Sequence, residues 1–376
     1  MIIFVKIFNL IIATITYSII LTFKIFFKFK INLIDSERIG HFLAGSYSAY
    51  LNKSNIFQIN VIYKEVCNKF LLKKFKKKIF YFDNFFSIYI YKAYKIDKKI
   101  FKINNFNIEF PTYKPKNNLK LIKNIINFDN LEKKQINSAL KELGITKKFV
   151  CLHVRDEKYL QTTFKKKDYS YHSYRNANIN KYKILINYLI SKNYQIVRMG
   201  RIVKNKLKLK NKNFVDYPFS KNKSDMLDVY FGCKCEFVIG TGSGWEMVPT
   251  LFNKDNYVTN SVDFGYVDYN KKHYLLFKKF VYQNSKIKKK LQLEEIIEKN
   301  YHKINRAKLF KEKGIILKEN NPKELLKGLK EFMRTRKKQN GHKSNLNQKF
   351  FKILEKKEDL SKYKPLKTRI LEANLT

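Results

Sequence analysis

The chain of 376 residues is too long for one ordinary hydrophobic core, and its length predicts two domains of about 100–200 residues each. Its hydrophobic fraction of 44% is ample for packed globular structure. The formal net charge of +47 either attracts an anionic surface or reflects a general drift toward lysine, and the scattered placement of the lysines favours the drift. The four cysteines lack the pattern of a disulfide framework or a zinc site, so no metal is expected.

Residues 1–27 differ from the rest because Ile7–Phe23 contains no charged residue. In a helix that rises about 1.5 Å per residue, this run is only just long enough to cross the hydrocarbon of a bilayer. Lys24, Lys28 and Lys30 follow at once, which favours a cytoplasmic position for the rest of the chain. The sequence therefore predicts a membrane anchor or an in-plane helix at the inner face of the cytoplasmic membrane. The alternative is a buried first helix or strand of the N-terminal domain.

Residues 28–145 mix short apolar runs with helix-like stretches and predict an N-terminal domain. Strands are predicted at Ile59–Tyr63 and Lys78–Tyr81, and a loop at Pro111–Asn118. Helices are predicted at Phe42–Leu51, Lys64–Phe75 and Leu131–Leu143, the last ended by Gly144.

Residues 146–335 alternate strands with helices, which is the pattern of a parallel sheet covered on both faces. The predicted strands are Phe149–His153, Gln195–Met199, Glu236–Ile239, Asn256–Thr259 and Ile315–Leu317. The predicted helices are Ile179–Ser191, Ser224–Phe231 and Trp245–Phe252. Residues 336–376 are rich in lysine and asparagine and predict a basic tail that is mobile or loosely docked. The predicted fold class is α/β.

Arginine is scarce, with nine among the 78 basic residues, yet four arginines lie between Arg155 and Arg201. A guanidinium grips phosphate or carboxylate through two parallel hydrogen bonds, a geometry that a lysine ammonium lacks. Ligands of open parallel sheets bind at the carboxyl ends of the strands, and Arg155 and Arg198 both lie at predicted strand ends. Arg175 and Asn176 precede the helix at Ile179 and are expected to face the same crevice, the alternative for Arg175 being a surface salt bridge. The cluster predicts a phosphorylated ligand.

A third predicted strand ends in the glycine loop, Gly240–Gly244. Its glycines allow backbone amides to approach an anion, and Thr241 and Ser243 add hydroxyl donors. No Gly-Lys-Ser/Thr follows, so the loop is not a P-loop. Because arginines mark two other strand ends, a diphosphate-binding loop is favoured over a purely structural turn.

Five short strings occur in a fixed order along the chain, at Arg38–His41, His153–Asp156, Tyr171–Ala177, Val197–Gly200 and Ile239–Gly244. In this order they resemble a family of bacterial glycosyltransferases associated with surface-polysaccharide synthesis, over roughly Ile34–Phe332. That family is distantly similar to fucosyltransferases of two-domain GT-B architecture. The resemblance implies two Rossmann-like domains with an interdomain cleft. It also implies metal-independent transfer of a sugar from a nucleoside diphosphate donor, without a further cofactor, to a glycan or lipid-linked acceptor.

The resemblance also implies roles for single residues. In those fucosyltransferases a His-x-Arg strand end places its arginine on the donor diphosphate, which implies that role for Arg155. A loop bearing serine or threonine near the second phosphate implies that role for Thr241–Gly244. Ser36–His41 would belong to the acceptor-side domain.

Transfer of a sugar to a hydroxyl calls for a general base, for which His153, Asp156, Glu157 and Glu246 are candidates. His153 is equally compatible with a hydrogen-bonded structural group. The predicted catalytic residues are His153, Arg155, Arg175 and Glu246. The predicted donor-binding residues are Arg155, Asn176, Arg198, Gly200, Gly240, Thr241, Gly242, Ser243 and Gly244.

The alternative function is a non-catalytic, membrane-associated protein that binds anionic glycan or nucleic acid through its basic surface. The sequence carries no groove-reading or RNP-like motif, so specific nucleic-acid binding is not expected.

Overall fold

The computed structural model describes residues 2–52, 56–101, 119–264, 267–269, 271–337, 344–364 and 366–375. The chain forms two compact units, Met1–Phe128 and Asp129–Thr376. The boundary thus falls before the helix predicted at Leu131–Leu143, whereas the sequence analysis placed it after residue 145.

The N-terminal unit is built on a small parallel sheet in the described part of the chain. Its strands are β1 (Phe29–Ile34), β2 (Phe57–Ile62) and β3 (Tyr81–Phe82), in the order β1-β2-β3. Its helices are α1 (Ile2–Phe26), α2 (Ile39–Leu51), α3 (Lys69–Lys76), α4 (Ser87–Ile96), which continues as a π-helical turn over Asp97–Phe101, and α5 (Leu119–Ile125). Two buried asparagines join the strands, since the Asn32 amide donates to Asn60 Oδ1 at 2.8 Å and the Asn60 amide donates to Phe80 O at 2.8 Å.

Two predicted elements of this unit differ from the structure. The helix predicted at Lys64–Phe75 begins only at Lys69, because the Asn68 side chain caps it by accepting from Leu71 N–H at 2.8 Å. The strand predicted at Lys78–Tyr81 is the two-residue β3, which pairs with β2. The loop predicted at Pro111–Asn118 lies outside the described residues.

The C-terminal unit contains a parallel sheet with seven strands among the described residues. They are β4 (Phe149–His153), β5 (Gln195–Arg198), β6 (Phe214–Asp216), β7 (Val238–Gly240), β8 (Asn256–Ser261), β9 (His273–Phe277) and β13 (Arg369–Ile370). Their order is β13-β9-β8-β7-β4-β5-β6, and every neighbouring pair is parallel. Without β13 this is the 3-2-1-4-5-6 order of the Rossmann fold. The predicted parallel α/β sheet is confirmed.

A separate antiparallel sheet is formed by β10 (Lys279–Gln283), β11 (Lys288–Lys290) and β12 (Ile315–Lys318). The sequence analysis counted Ile315–Leu317 in the parallel alternation, which is wrong. Short apolar strands look alike in sequence whichever sheet they enter, and β10, which was not predicted, is the partner that decides the direction.

The helices of the C-terminal unit among the described residues are α6 (Asn130–Glu142), α7 (Lys158–Thr163), α8 (Lys183–Ser191), α9 (Asp225–Lys234), α10 (Met247–Leu251), α11 (Leu293–Glu298), α12 (Ala307–Glu312), α13 (Pro322–Lys337) and α14 (Asn345–Glu355). Side chains of α8 and α13 join one core beside the parallel sheet, and side chains of α14 join another. Alternate residues of β8 enter different cores, since Tyr257 packs with Phe332 of α13 while Val258 packs with Phe350 of α14. The Tyr257 hydroxyl donates to Leu325 O at 2.9 Å and ties β8 to α13.

Residues 344–364 and 366–375 contribute to this core, although the sequence analysis expected a mobile or loosely docked basic tail from residue 336. Phe350 and Leu354 of α14 are buried, and β13 adds a strand to the sheet edge beside β9. The lysine-rich composition led to the tail prediction, although Phe350 and Leu354 are four residues apart and so lie on one face of a helix.

We therefore expect Phe350→Ala to lower the free energy of unfolding by about 3–5 kcal/mol, because it removes a buried ring and leaves a cavity. Urea unfolding followed by circular dichroism measures the change. Lys352→Ala, at an exposed position of the same helix, is the control. Equal stability of the two variants would mean that α14 is not part of the folded core.

Candidate functional site

The chain order creates a topological switch point between β4 and β7. From β4 the chain runs to β5 and β6 on one side and then returns to place β7 on the other side. Crevices at such a point, outside the carboxyl ends of the strands, are where open α/β sheets bind ligands. His153, the last residue of β4, is paired in register with Gly240, the last residue of β7.

The glycine loop after β7 is folded around a buried carboxylate. Glu246 is 4% exposed and accepts hydrogen bonds from the backbone N–H groups of Thr241 (3.1 Å), Gly242 (3.3 Å) and Ser243 (2.9 Å). The Asn256 amide of β8 donates to the same carboxylate at 3.0 Å. The sequence analysis expected these loop amides to be available to phosphate. In the structure they donate to the Glu246 carboxylate of the same loop.

Gly240 is required by this arrangement, since a Cβ at that position would overlap the Glu246 carboxylate. Gly242 has a φ of 74°, in the left-handed region that favours glycine. The loop is therefore a rigid turn that positions its own side chains.

His153 lies beside this turn. Its Nδ1 is 2.8 Å from Ser243 Oγ and 3.7 Å from Glu246 Oε1. We assign the ring proton to Nδ1, because the nearby carboxylate favours a proton on that nitrogen and the Ser243 oxygen can accept it. Nε2, for which the described residues offer no hydrogen-bond partner, then carries the lone pair. Both oxygens approach the same nitrogen, so this is not the geometry of a serine–histidine–acid triad, in which the two partners bind opposite ring nitrogens.

Arg155 and Arg175 converge on the same turn. Arg155 N–H donates to Thr241 Oγ1 at 3.0 Å, and Arg175 Nη2 donates to Gly242 O. Nη1 of Arg155 donates to His172 O at 2.9 Å and to Asn176 Oδ1 at 2.8 Å. Burial lowers the pKa of Arg155 to about 10, and the positive charge of Arg175 acts in the same direction. Two guanidinium groups are thus held close together in a partly desolvated crevice.

The structure adds two charged groups that the sequence analysis missed. Asp263, two residues beyond β8, lies 3.3 Å from Arg175 Nε, and burial raises the pKa of its carboxyl group. Lys278, directly after β9, donates to Tyr174 O at 2.9 Å and Asn176 O at 2.7 Å, and burial lowers its pKa to about 8. Both follow the carboxyl ends of strands. The strand predicted at Asn256–Thr259 could have pointed to Asp263, whereas β9 was not predicted and so gave no signal for Lys278.

Arg198 is held by internal contacts, and Gly200 lies at a position that needs a glycine, while its role in donor binding stays a prediction. The Arg198 guanidinium is 1% exposed and donates to Asn205 O at 2.7 Å and to the Asp216 carboxylate at 3.2 Å. Gly200 has a φ of 145°, and a Cβ there would lie 2.6 Å from a Val203 methyl group. The sequence analysis placed both in the nucleotide pocket, but the contacts of Arg198 are internal ones that complete the end of β5.

The remaining candidates lie around the crevice. Asn176 joins the Arg155 guanidinium to Glu157, donating to its carboxylate at 3.0 Å, and Glu157 also pairs with Lys204 at 2.9 Å. Asp156 caps backbone N–H groups of Lys158 and Lys204. These carboxylates are therefore engaged, whereas Nε2 of His153 remains the basic atom without a partner among the described residues. Gly244 begins the short 3₁₀ turn that leads into α10.

Comparison of the chain with protein-family models, with curated proteins and with solved structures gives no significant match. The chemistry of the site thus rests on its geometry. Among the described residues, no group of three or more His, Cys, Asp or Glu side chains could hold a metal ion.

The ionised Glu246 carboxylate should make the free energy of unfolding depend on pH. Although burial favours the neutral acid, the His153 ring, the Asn256 amide and the Ser243 N–H lower the pKa of Glu246. A carboxyl group whose pKa is lowered on folding stabilises the protein above its unfolded pKa, and this contribution is lost as the pH falls through the folded pKa. Glu246→Gln cannot accept from all of these donors, so we expect a loss of about 1–3 kcal/mol at pH 7 that shrinks toward acid pH.

Urea unfolding at a series of pH values measures this difference, with the exposed Glu298→Gln on α11 as the control. A difference between wild type and Glu246→Gln that stayed constant into the acid range would contradict an ionised Glu246.

Proposed function

We propose that the protein is a glycosyltransferase that moves a sugar from a nucleoside diphosphate donor to a glycan or lipid-linked acceptor. The observation that carries the proposal is the pair of guanidinium groups, Arg155 and Arg175, at the switch point of a Rossmann-ordered sheet. Burial and the nearby positive charge of Arg175 both lower the pKa of Arg155. A diphosphate bound between the two guanidinium groups would relieve this repulsion and accept bidentate hydrogen bonds.

In this reaction the acceptor hydroxyl oxygen forms a bond to the anomeric carbon of the sugar. The bond from that carbon to the donor phosphate oxygen breaks, and the nucleoside diphosphate leaves with the electron pair. Arg155 and Arg175 offset the negative charge that grows on the leaving group, with Lys278 fixing the carbonyls of the segment that carries Arg175. The Ser243 hydroxyl, at the edge of the turn, supplies a further polar group.

His153 is our candidate for the base that takes the acceptor proton, because its Nε2 carries the lone pair in the tautomer assigned above. Glu246 is a positioning residue in this proposal, since four hydrogen bonds from loop and strand occupy its carboxylate. The amides of the glycine loop are likewise not proposed as phosphate ligands.

The order of the five sequence strings supports the same function, and with it a GT-B architecture. In that architecture the C-terminal unit would bind the donor and the N-terminal unit the acceptor. Among the described residues, the N-terminal unit has a parallel sheet of three strands and the C-terminal unit one of seven strands.

Arg155→Lys tests the role of the guanidinium. Lysine keeps the charge but cannot bridge two phosphate oxygens or hold His172 O and Asn176 together, so we expect turnover to fall by about 10²-fold or more. Donor hydrolysis and sugar transfer are the measurements. Arg201→Lys is the matched control, because Arg201 is half-exposed and its contact is a surface pair with Asp225; its effect should stay below about threefold. Unchanged turnover in Arg155→Lys would rule out the assignment.

The non-catalytic alternative is distinguished by ligand-induced thermal stabilisation. We expect a rise in melting temperature with one of GDP, UDP or CMP that persists at about 0.5 M salt, because partly buried contacts are weakly screened. Heparin, as a general polyanion, should stabilise only at low salt if it binds the lysine-rich surface. Stabilisation by heparin alone, lost at high salt, would favour a binding protein for anionic polymers.

A further inference from the structure

Helix α1 has one side packed against protein. Ala13, Tyr17 and Ile20 are buried, and the last two join the core of the N-terminal unit. The Tyr17 hydroxyl donates to Asp97 Oδ1 at 2.9 Å, and the Lys92 ammonium of α4 donates to Asn9 Oδ1. These contacts lie along the middle of α1, so the helix is part of the N-terminal unit over much of its length.

The other side of α1 is exposed and apolar. Its large side chains are each more than half exposed, among them Phe4, Phe8, Ile11, Ile15, Ile19 and Phe23. Three threonine hydroxyl groups on the helix are satisfied without water, since Thr14, Thr16 and Thr22 donate to the carbonyls four residues earlier. Ile3–Phe26 is also the one helix among the described residues that is long and apolar enough to cross a membrane, with a mean hydropathy of 2.0.

The apolar surface continues beyond the carboxyl end of α1. Phe26 and Phe27 are exposed, and β1 starts two residues later beside β2, with Phe29 paired to Phe57. Phe57 and Phe80 are exposed at the amino ends of β2 and β3, and their ring centroids are 6.0 Å apart. These side chains add to the apolar surface that α1 exposes, and large exposed apolar surfaces mark interaction sites.

The lysines around this apolar surface indicate what binds to it. Lys24 and Lys28 lie at the carboxyl end of the helix, and Lys92 and Lys95 lie on α4, which packs beside it. Ammonium groups beside an exposed apolar helix are attracted to the headgroups of a bilayer that contains anionic lipid.

We propose that the N-terminal unit docks on an anionic membrane surface with α1 lying in the plane of the interface. A membrane-spanning α1 would have to leave α4 or draw Lys92 and Asp97 into the hydrocarbon, where charged groups are costly. In the plane, the exposed strip enters the acyl-chain boundary while α4 and its lysines remain among the headgroups. This surface involves none of the groups proposed for catalysis.

Flotation of the full-length protein with vesicles tests the docking. We expect co-flotation with phosphatidylcholine vesicles containing about one-third phosphatidylglycerol and much weaker co-flotation with phosphatidylcholine alone. Ile15→Asp should weaken binding by about tenfold or more, whereas the matched control Ile184→Asp, at a similarly exposed position of α8, should bind as wild type. Circular dichroism of each variant checks that it is folded.

The depth of α1 is measured with Phe4→Trp, Ile15→Trp and Phe26→Trp and lipids brominated at known depths, after subtraction of the signal of buried Trp245. Similar, shallow quenching at all three positions is the expected result. Deep quenching at residue 15 with residues 4 and 26 near opposite surfaces would overturn the in-plane arrangement. A different result would be that the full-length protein floats with neither kind of vesicle and forms a dimer that Ile15→Asp converts to a monomer. This result would overturn membrane docking and show that a second copy of the chain covers the surface. If no nucleotide stabilises the protein, the proposed function is contradicted, but the proposal of membrane docking is not.

Discussion

The carboxylate of Glu246 is the interaction on which the site depends. It draws three consecutive backbone amides and the Asn256 amide around one buried charge, and so fixes the turn between β7 and α10. This turn places the Ser243 hydroxyl beside His153, and it places Gly242 O where it accepts a hydrogen bond from Arg175. Gly240 leaves room for the carboxylate, which explains a glycine at a strand end without any contact to ligand.

A second feature is the group of three cations beside that turn. Arg155, Arg175 and Lys278 lie near the carboxylate of Asp263, and burial lowers the pKa values of Arg155 and Lys278. Asp263 pairs with Arg175, and the charge of Glu319 favours the charged form of Lys278, so these two carboxylates partly offset the three cations. The internal anion, Glu246, is committed to the loop amides and does not balance them.

The two units differ in how completely their apolar side chains are buried. In the C-terminal unit both faces of the sheet are covered, and even residues 344–375 contribute buried side chains. In the N-terminal unit α1 covers the sheet with one side only and leaves a long apolar strip exposed. The same lysine-rich composition therefore surrounds a closed core in one unit and an open apolar surface in the other.

Periodicity and strand-end chemistry in the sequence were enough to predict the parallel α/β sheet, β4 to its exact ends, and the meeting of Arg155, Arg175, His153 and the glycine loop. These follow from local pattern, because parallel strands bring their carboxyl ends to one edge. Only the tertiary structure decided that the loop amides belong to Glu246, that Arg198 is internal, that β12 runs antiparallel to β10, and that α14 and β13 complete the core. Each of those outcomes depends on which distant residue supplies the partner for a hydrogen bond or an apolar face. Such partners are far apart in the sequence, so the local pattern of residues does not identify them.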